Sequence, residues 1–177
     1  MTTFRTAAGG VAARLDNAMW FVLATAAIFV FVAVADVSAL LHVSAALPSP
    51  PLGELQLGQR LGTYETLLFY GHLLFAAVWY YLCTALVRSR GADPALVLAT
   101  RPVVAWRLGV VATVAAGFAL PHVSLLDGHR FEVQLQWMIP LLFARVALTA
   151  LLVVAVFGLR RRMHEVLLHA PDAPATD

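Results

Sequence analysis

Cysteine occurs once in this chain of 177 residues, as Cys83. A single thiol excludes an internal disulfide and any paired-cysteine redox or zinc motif. It lies within an apolar run and reads as a small buried hydrophobe. Charge is scarce as well. Charged residues make up 12% of the chain, against about 25% in a typical soluble domain. No GxSxG, HExxH, P-loop or GxGxxG occurs, so nothing points to a hydrolase.

What fills the chain is apolar. Hydrophobic residues reach 61% and mean hydropathy is +0.82. Four long runs cover residues 17–41, 64–87, 102–120 and 135–159. About 20 apolar residues in a helix cross the hydrocarbon of a bilayer. The chain therefore reads as an all-α membrane protein, a bundle of four transmembrane helices with no room for a sizeable soluble domain. The first run is too long and uninterrupted for a secretory signal and lacks a small-residue cleavage site, so it counts as a span. The net charge of +2 does not indicate nucleic-acid binding. The basic residues stand at the ends of the runs, where topology requires them.

Orientation follows from those arginines. Arg5 and Arg14 precede the first run, Arg88, Arg90 and Arg101 lie between the second and third, and Arg160, Arg161 and Arg162 follow the fourth. The other two connections hold only Arg60 and Arg130, offset by Glu54, Asp127 and Glu132. The positive-inside rule puts both termini in the cytoplasm. Residues 1–16 form a cytoplasmic segment, 17–162 the membrane domain, and 163–177 a cytoplasmic tail expected to be disordered. The stretch 43–63 carries Pro48, Pro50, Pro51, Gly53, Gly58 and Gly62 and reads as an extended or packed outer loop. The expected location is the bacterial cytoplasmic membrane.

Ionisable groups within such runs cost several kcal/mol on insertion scales and usually have a partner or a task. Asp36, His72 and Arg145 stand inside or at the ends of the runs; His42, Glu65, His122 and His129 lie just beyond. At the helical rise, His72 and Arg145 fall about 22–24 Å from the arginine-flanked boundary, His122 about 30 Å and Asp36 about 33 Å. All four belong to the outer third of the membrane or its outer edge. Glu65 and His72 are almost two turns apart and share a helix face, as do Met138 and Arg145. Gly71 and Ala76 leave room beside His72 for a neighbouring helix or a flat cofactor. An arginine at this depth needs an anion, and Asp36 and Glu65 are nearest in level. His129 reads as a turn residue, His164 and His169 as solvated, and Trp20, Trp106 and Trp137 as an aromatic belt.

Imidazole binds copper and haem iron. His42, His72 and His122 with Asp36 and Glu65 could supply a mixed nitrogen and oxygen copper site. Alternatively, His72 and His122 could hold haem b, with Arg145 on a propionate. The second run, YETLLFYGHLLFAAVWYYLCTAL, resembles the histidine-bearing helix of the copper-resistance D family (CopD-like), matching from His72 through Trp79. Tyr80 stands where that family often has glycine. The resemblance covers one helix of four. It implies copper handling or a haem-related role at the outer face, with His72 as a ligand.

Three functions fit these residues. One is a copper- or haem-holding protein of electron transfer. A second is an accessory subunit of a larger respiratory-type membrane complex, with a quinone pocket or no cofactor. The third is an ion- or proton-binding transporter, which four helices would build as a homo-oligomer. The lipid bilayer is a partner in each, and other membrane subunits are possible in the second.

Overall fold

The computed structural model describes residues 2–46, 52–119 and 128–169, with side chains placed at 13–46, 52–119, 135–163 and 165. The chain forms α1 (Thr2–Ala45), α2 (Leu52–Ser89), the short α3 (Pro94–Leu98), α4 (Arg101–Ala119) and α5 (Gly128–His169). Four of these hold stretches long and apolar enough to cross a membrane: Ala13–Ala45, Leu52–Ser89, Arg101–Ala119 and Leu135–Met163.

Three helices run longer than the apolar patterning predicts. The stretch expected as an extended loop is helical on both sides of a short connection: α1 continues to Ala45 and α2 begins at Leu52. Pro48, Pro50 and Pro51 lie outside the described residues. Within the first turns of α2, leucines, Glu54, Gln56 and Gln59 favour helix. They outweigh three glycines at roughly 1 kcal/mol each. At the other terminus α5 runs to His169, so residues 163–169 are helical rather than tail; 170–177 lie outside the described residues.

Side-chain pairs fix how the helices run. Phe21 meets Phe75 and Phe29 meets Phe69, so α1 and α2 are antiparallel. Glu65 meets Arg145 and His72 meets Thr149, so α2 and α5 are parallel. Gly109 abuts Leu148 and Gly117 faces Arg145, so α4 lies antiparallel on α5. A Cβ at Gly109 would overlap the Leu148 side chain. The absence of a side chain there lets the two helices approach, the usual device where lipid removes the hydrophobic drive between helices.

The buried residues of three helices repeat every three and four positions. On α1 they are Met19, Val22, Ala26, Phe29, Ala33, Asp36, Leu40 and Val43. The stripe from Glu65 to Val87 on α2, and from Leu142 to Met163 on α5, follows the same spacing. This is a heptad seam, the signature of left-handed helix packing. Outward faces carry Phe31, Leu108, Phe118 and Phe143, all exposed, as a lipid-facing surface requires.

Two ends of the bundle can be distinguished. The arginine end carries Arg14, Arg88 and Arg160. There Met19, Val22, Cys83, Val87, Val156 and Leu159 join one apolar cluster. An exposed pair, Arg160 to Asp16 at 3.2 Å, ties α5 to α1, and α3 closes the α2–α4 connection. Asp93 caps α3 by accepting from the Ala95 N–H at 2.9 Å, and Pro94 occupies its first turn. The opposite end is where α1 gives way to α2. A smaller cluster of Leu40, Val43, Leu135 and Leu142 sits there.

Candidate functional site

Between these two clusters the seams carry polar side chains. Asp36 comes from α1, Glu65 and His72 from α2, Arg145 and Thr149 from α5, and each is at most 7% exposed. All of them occupy heptad positions that elsewhere hold Leu, Val, Ala or Phe. Their inward direction is therefore set by helix phase, not by local backbone distortion.

Arg145 Nη1 donates to Glu65 Oε2 at 2.6 Å. Glu65 is thus the acid that meets the deep arginine, one of the two candidates marked by depth. Thr66 Oγ1 donates to the same oxygen at 3.2 Å. The guanidinium carbon lies 4.7 Å from the centroid of the Phe69 ring, a cation–π contact that covers one face of the charge. On α4, Gly117 makes room for the other amino group: a Cβ there would lie 3.5 Å from Arg145 Nη2.

Asp36 lies beside this pair without joining it. Both carboxyl oxygens are buried and accept no hydrogen bond. Their neighbour on α2 is Gly62, whose Cβ position would lie 3.7 Å from Oδ2 and 4.0 Å from Oδ1. Glu65 Oε1 and Arg145 Nε are also buried and unpartnered. The cluster therefore holds two carboxyl groups and one guanidinium, of which only Glu65 is bonded to the guanidinium. With all three ionised, the cluster carries one uncompensated negative charge.

His72 stands one layer nearer the arginine end. Its Nδ1 is 3.1 Å from the Leu68 carbonyl, so Nδ1 carries the proton of the neutral ring and Nε2 the lone pair. Nε2 faces Thr149 Oγ1 at 3.4 Å, while that hydroxyl donates to the Arg145 carbonyl at 2.9 Å. The ring lies 4.9 Å from Phe29 and 5.4 Å from Phe69, centroid to centroid. Thr149 thus lies between the histidine and the helix turn that carries the arginine, with its one proton on the Arg145 carbonyl.

The remaining candidates go elsewhere. His42 is exposed, with Nδ1 at 2.7 Å from the Ser38 carbonyl of its own helix. It stands six residues after Asp36, about 240° around the helix. His122 lies outside the described residues. His129 falls in the first turn of α5, which differs from the turn expected of it. Among the described residues no group of three or more His, Cys, Asp or Glu could share a metal ion. The apolar runs alone did not single out Gly62, Gly117 and Thr149. Thr149 was accessible through its spacing, one heptad step beyond Arg145.

The chain matches no family model, no curated protein and no solved structure.

Proposed function

We propose that this chain is a proton-binding membrane protein, with Asp36 as the group that takes up and releases the proton. The proposed context is an oligomeric transporter or proton-driven complex. One observation carries the reading: Asp36 is buried with both oxygens unpartnered, while the neighbouring arginine is engaged by Glu65. An isolated carboxylate in an apolar interior costs so much that the group neutralises instead. A proton balances the cluster, and its loss creates a charge that Arg145 can shift to meet. Acids held inside a membrane bundle beside an arginine are among the usual parts of proton relays.

A larger cation fits less well. Calcium takes six to eight oxygens, whereas the cluster offers three unpartnered ones: two on Asp36 and one on Glu65. The flanking helices are continuous, so their carbonyls are engaged in helix bonds. Copper or haem draws less support from the same geometry, because the lone pair of His72 faces Thr149 and His42 points outward. By the positive-inside rule the termini are cytoplasmic and the cluster lies toward the outer face.

Infrared spectroscopy of the protein in lipid vesicles tests this. A protonated carboxyl stretch that grows as the pH falls is expected, lost in Asp36→Asn and kept in His42→Ala. An Asp36→Asn spectrum identical to wild type across the whole pH range would sink the proposal. A band that responds to sodium or calcium rather than to pH would replace the proton by that cation.

A further inference from the structure

We infer that the groove between α2, α4 and α5, toward the arginine end, holds one anionic phospholipid. Its ester carbonyl accepts from the indole N–H of Trp106, and its acyl chain runs inward along Trp79 and Ala76. This site is distinct from the Asp36 cluster and does not depend on the proton-binding reading.

The groove forms because α4 leans on α5. Gly109 and Gly117 bring α4 against Leu148 and Arg145, whereas α2 and α4 make almost no direct packing. Toward the arginine end a void remains between them. Ala76 and Trp79 line it from α2, Trp106 from α4, and Leu152, Val156 and Leu159 from α5. Trp106 Nε1 is buried and has no hydrogen-bond partner. A buried indole N–H normally finds an acceptor, and leaving the bond unmade carries the full cost of desolvating the group. The surrounding helices are continuous, so their carbonyls are engaged and the acceptor comes from outside the chain. Water is a poor occupant, because it needs two to four polar partners and the lining is almost wholly apolar. A single acceptor on a long apolar chain matches both the donor and the lining.

Level and charge identify that molecule. Trp106 stands five residues into α4 from Arg101, about 7.5 Å at the helical rise. The interfacial zone of a bilayer has a similar depth, since a core of about 30 Å widens to about 40–45 Å with both headgroup regions. An ester carbonyl therefore meets Trp106, and the chain below it continues toward Ala76, twelve residues in from Arg88. At the rim the Arg107 guanidinium lies 4.4 Å from the centroid of the Tyr80 ring. Stacking uses a face of the guanidinium and leaves its edge donors for a phosphate. Arg88, Arg90 and Arg101 are exposed at the same end. The acids there are already engaged: Asp93 caps α3, and Asp16 and Glu165 pair with Arg160 and Arg161. Among the described residues no carboxylate pairs with Arg107. Arginines near the surface attract anionic headgroups, and by the positive-inside rule this lipid belongs to the cytoplasmic leaflet.

Native mass spectrometry of the protein released from mild detergent reads the site. Titration with phosphatidylglycerol or phosphatidylcholine of matched chains counts the bound lipid and gives its affinity. The wild type is expected to bind one phosphatidylglycerol more tightly than phosphatidylcholine. Trp106→Phe keeps an aromatic ring and loses no hydrogen bond within the chain. It should bind both lipids about tenfold more weakly, a loss of ~1.4 kcal/mol. Arg107→Gln, at an exposed position, should weaken phosphatidylglycerol alone. Trp20→Phe, which alters an exposed tryptophan of the same end, should change neither. Wild-type affinity in Trp106→Phe overturns the site, as does an equal loss in Trp20→Phe, the mark of unspecific lipid at the surface. Undiminished preference for phosphatidylglycerol in Arg107→Gln overturns the headgroup placement. A quinone that is displaced by neither lipid and lost in Trp106→Phe overturns the lipid assignment and takes its place.

Discussion

Toward the arginine end, Val22, Cys83, Val156 and Leu159 close the seams of α1, α2 and α5 with apolar atoms alone. Toward the end where α1 gives way to α2, the same kind of heptad position holds Asp36, Glu65 and Arg145, with Gly58 and Gly62 beside them. Helix phase is continuous through both halves, so the backbone is not what differs. One half spends its core positions on packing. The other gives up apolar packing for charge. A membrane bundle tolerates this because neighbouring helices hold each seam in register over its whole length. The comparison teaches that the site is built by substitution within a regular seam, not by breaking a helix.

The comparison can be broken first at the ion pair. Arg145→Met leaves Glu65 buried without a partner, at a cost of about 3–5 kcal/mol. The double variant Glu65→Gln with Arg145→Met should recover most of that loss. Unfolding in mixed detergent micelles measures both, and a double variant no more stable than Arg145→Met would show that the pair is not what Arg145 supports. At the arginine end, Leu159→Ala opens a cavity worth about 2–4 kcal/mol in the same titration, with the Asp36 carboxyl band unchanged. Glycines sharpen the contrast further. Gly109→Ala, which overlaps Leu148, should cost about 1–3 kcal/mol by overpacking. Gly58→Ala has open space and should stabilise by about 0.4–1 kcal/mol. Equal effects at the two glycines would contradict the difference in their surroundings. Smallest of all, His42→Ala lies on an exposed face and should stay within about 0.5 kcal/mol of wild type.

The four spans were legible in the sequence because length and hydropathy follow from bilayer thickness. Helix ends were not. Hydropathy marks where lipid begins, whereas the backbone hydrogen bonds of α1, α2 and α5 continue into polar sequence. Residues 52–63 show this, since Leu, Glu and Gln hold the helix through three glycines. The Asp93–Pro94 start of α3 was a readable cap that apolar patterning passes over. Within the site, cost singled out Asp36, Glu65, His72 and Arg145, because a buried ionisable group is conspicuous at any depth. Depth alone also drew in His42, which lies on the same side of the bundle, about 9 Å further along α1, but not on the same face. Rotational phase separates the two, and the heptad repeat of α1 carries it. Gly62 and Gly117 escaped for the opposite reason. A missing side chain has no cost signal, and its role emerges only when the neighbouring helix is in place.

The ion pair joins residues 80 positions apart, Glu65 and Arg145. Ribosomes add about 5–20 residues per second, so several seconds separate the synthesis of the two partners. During that interval α1 and α2 exist as a hairpin bearing Asp36 and Glu65 with no inward-facing cation. The hairpin must wait beside the insertion machinery, or with its acids protonated, until α5 arrives. A nascent chain stopped before Arg145 is therefore a natural target for membrane quality control, and assembly of this bundle is committed only when α5 enters.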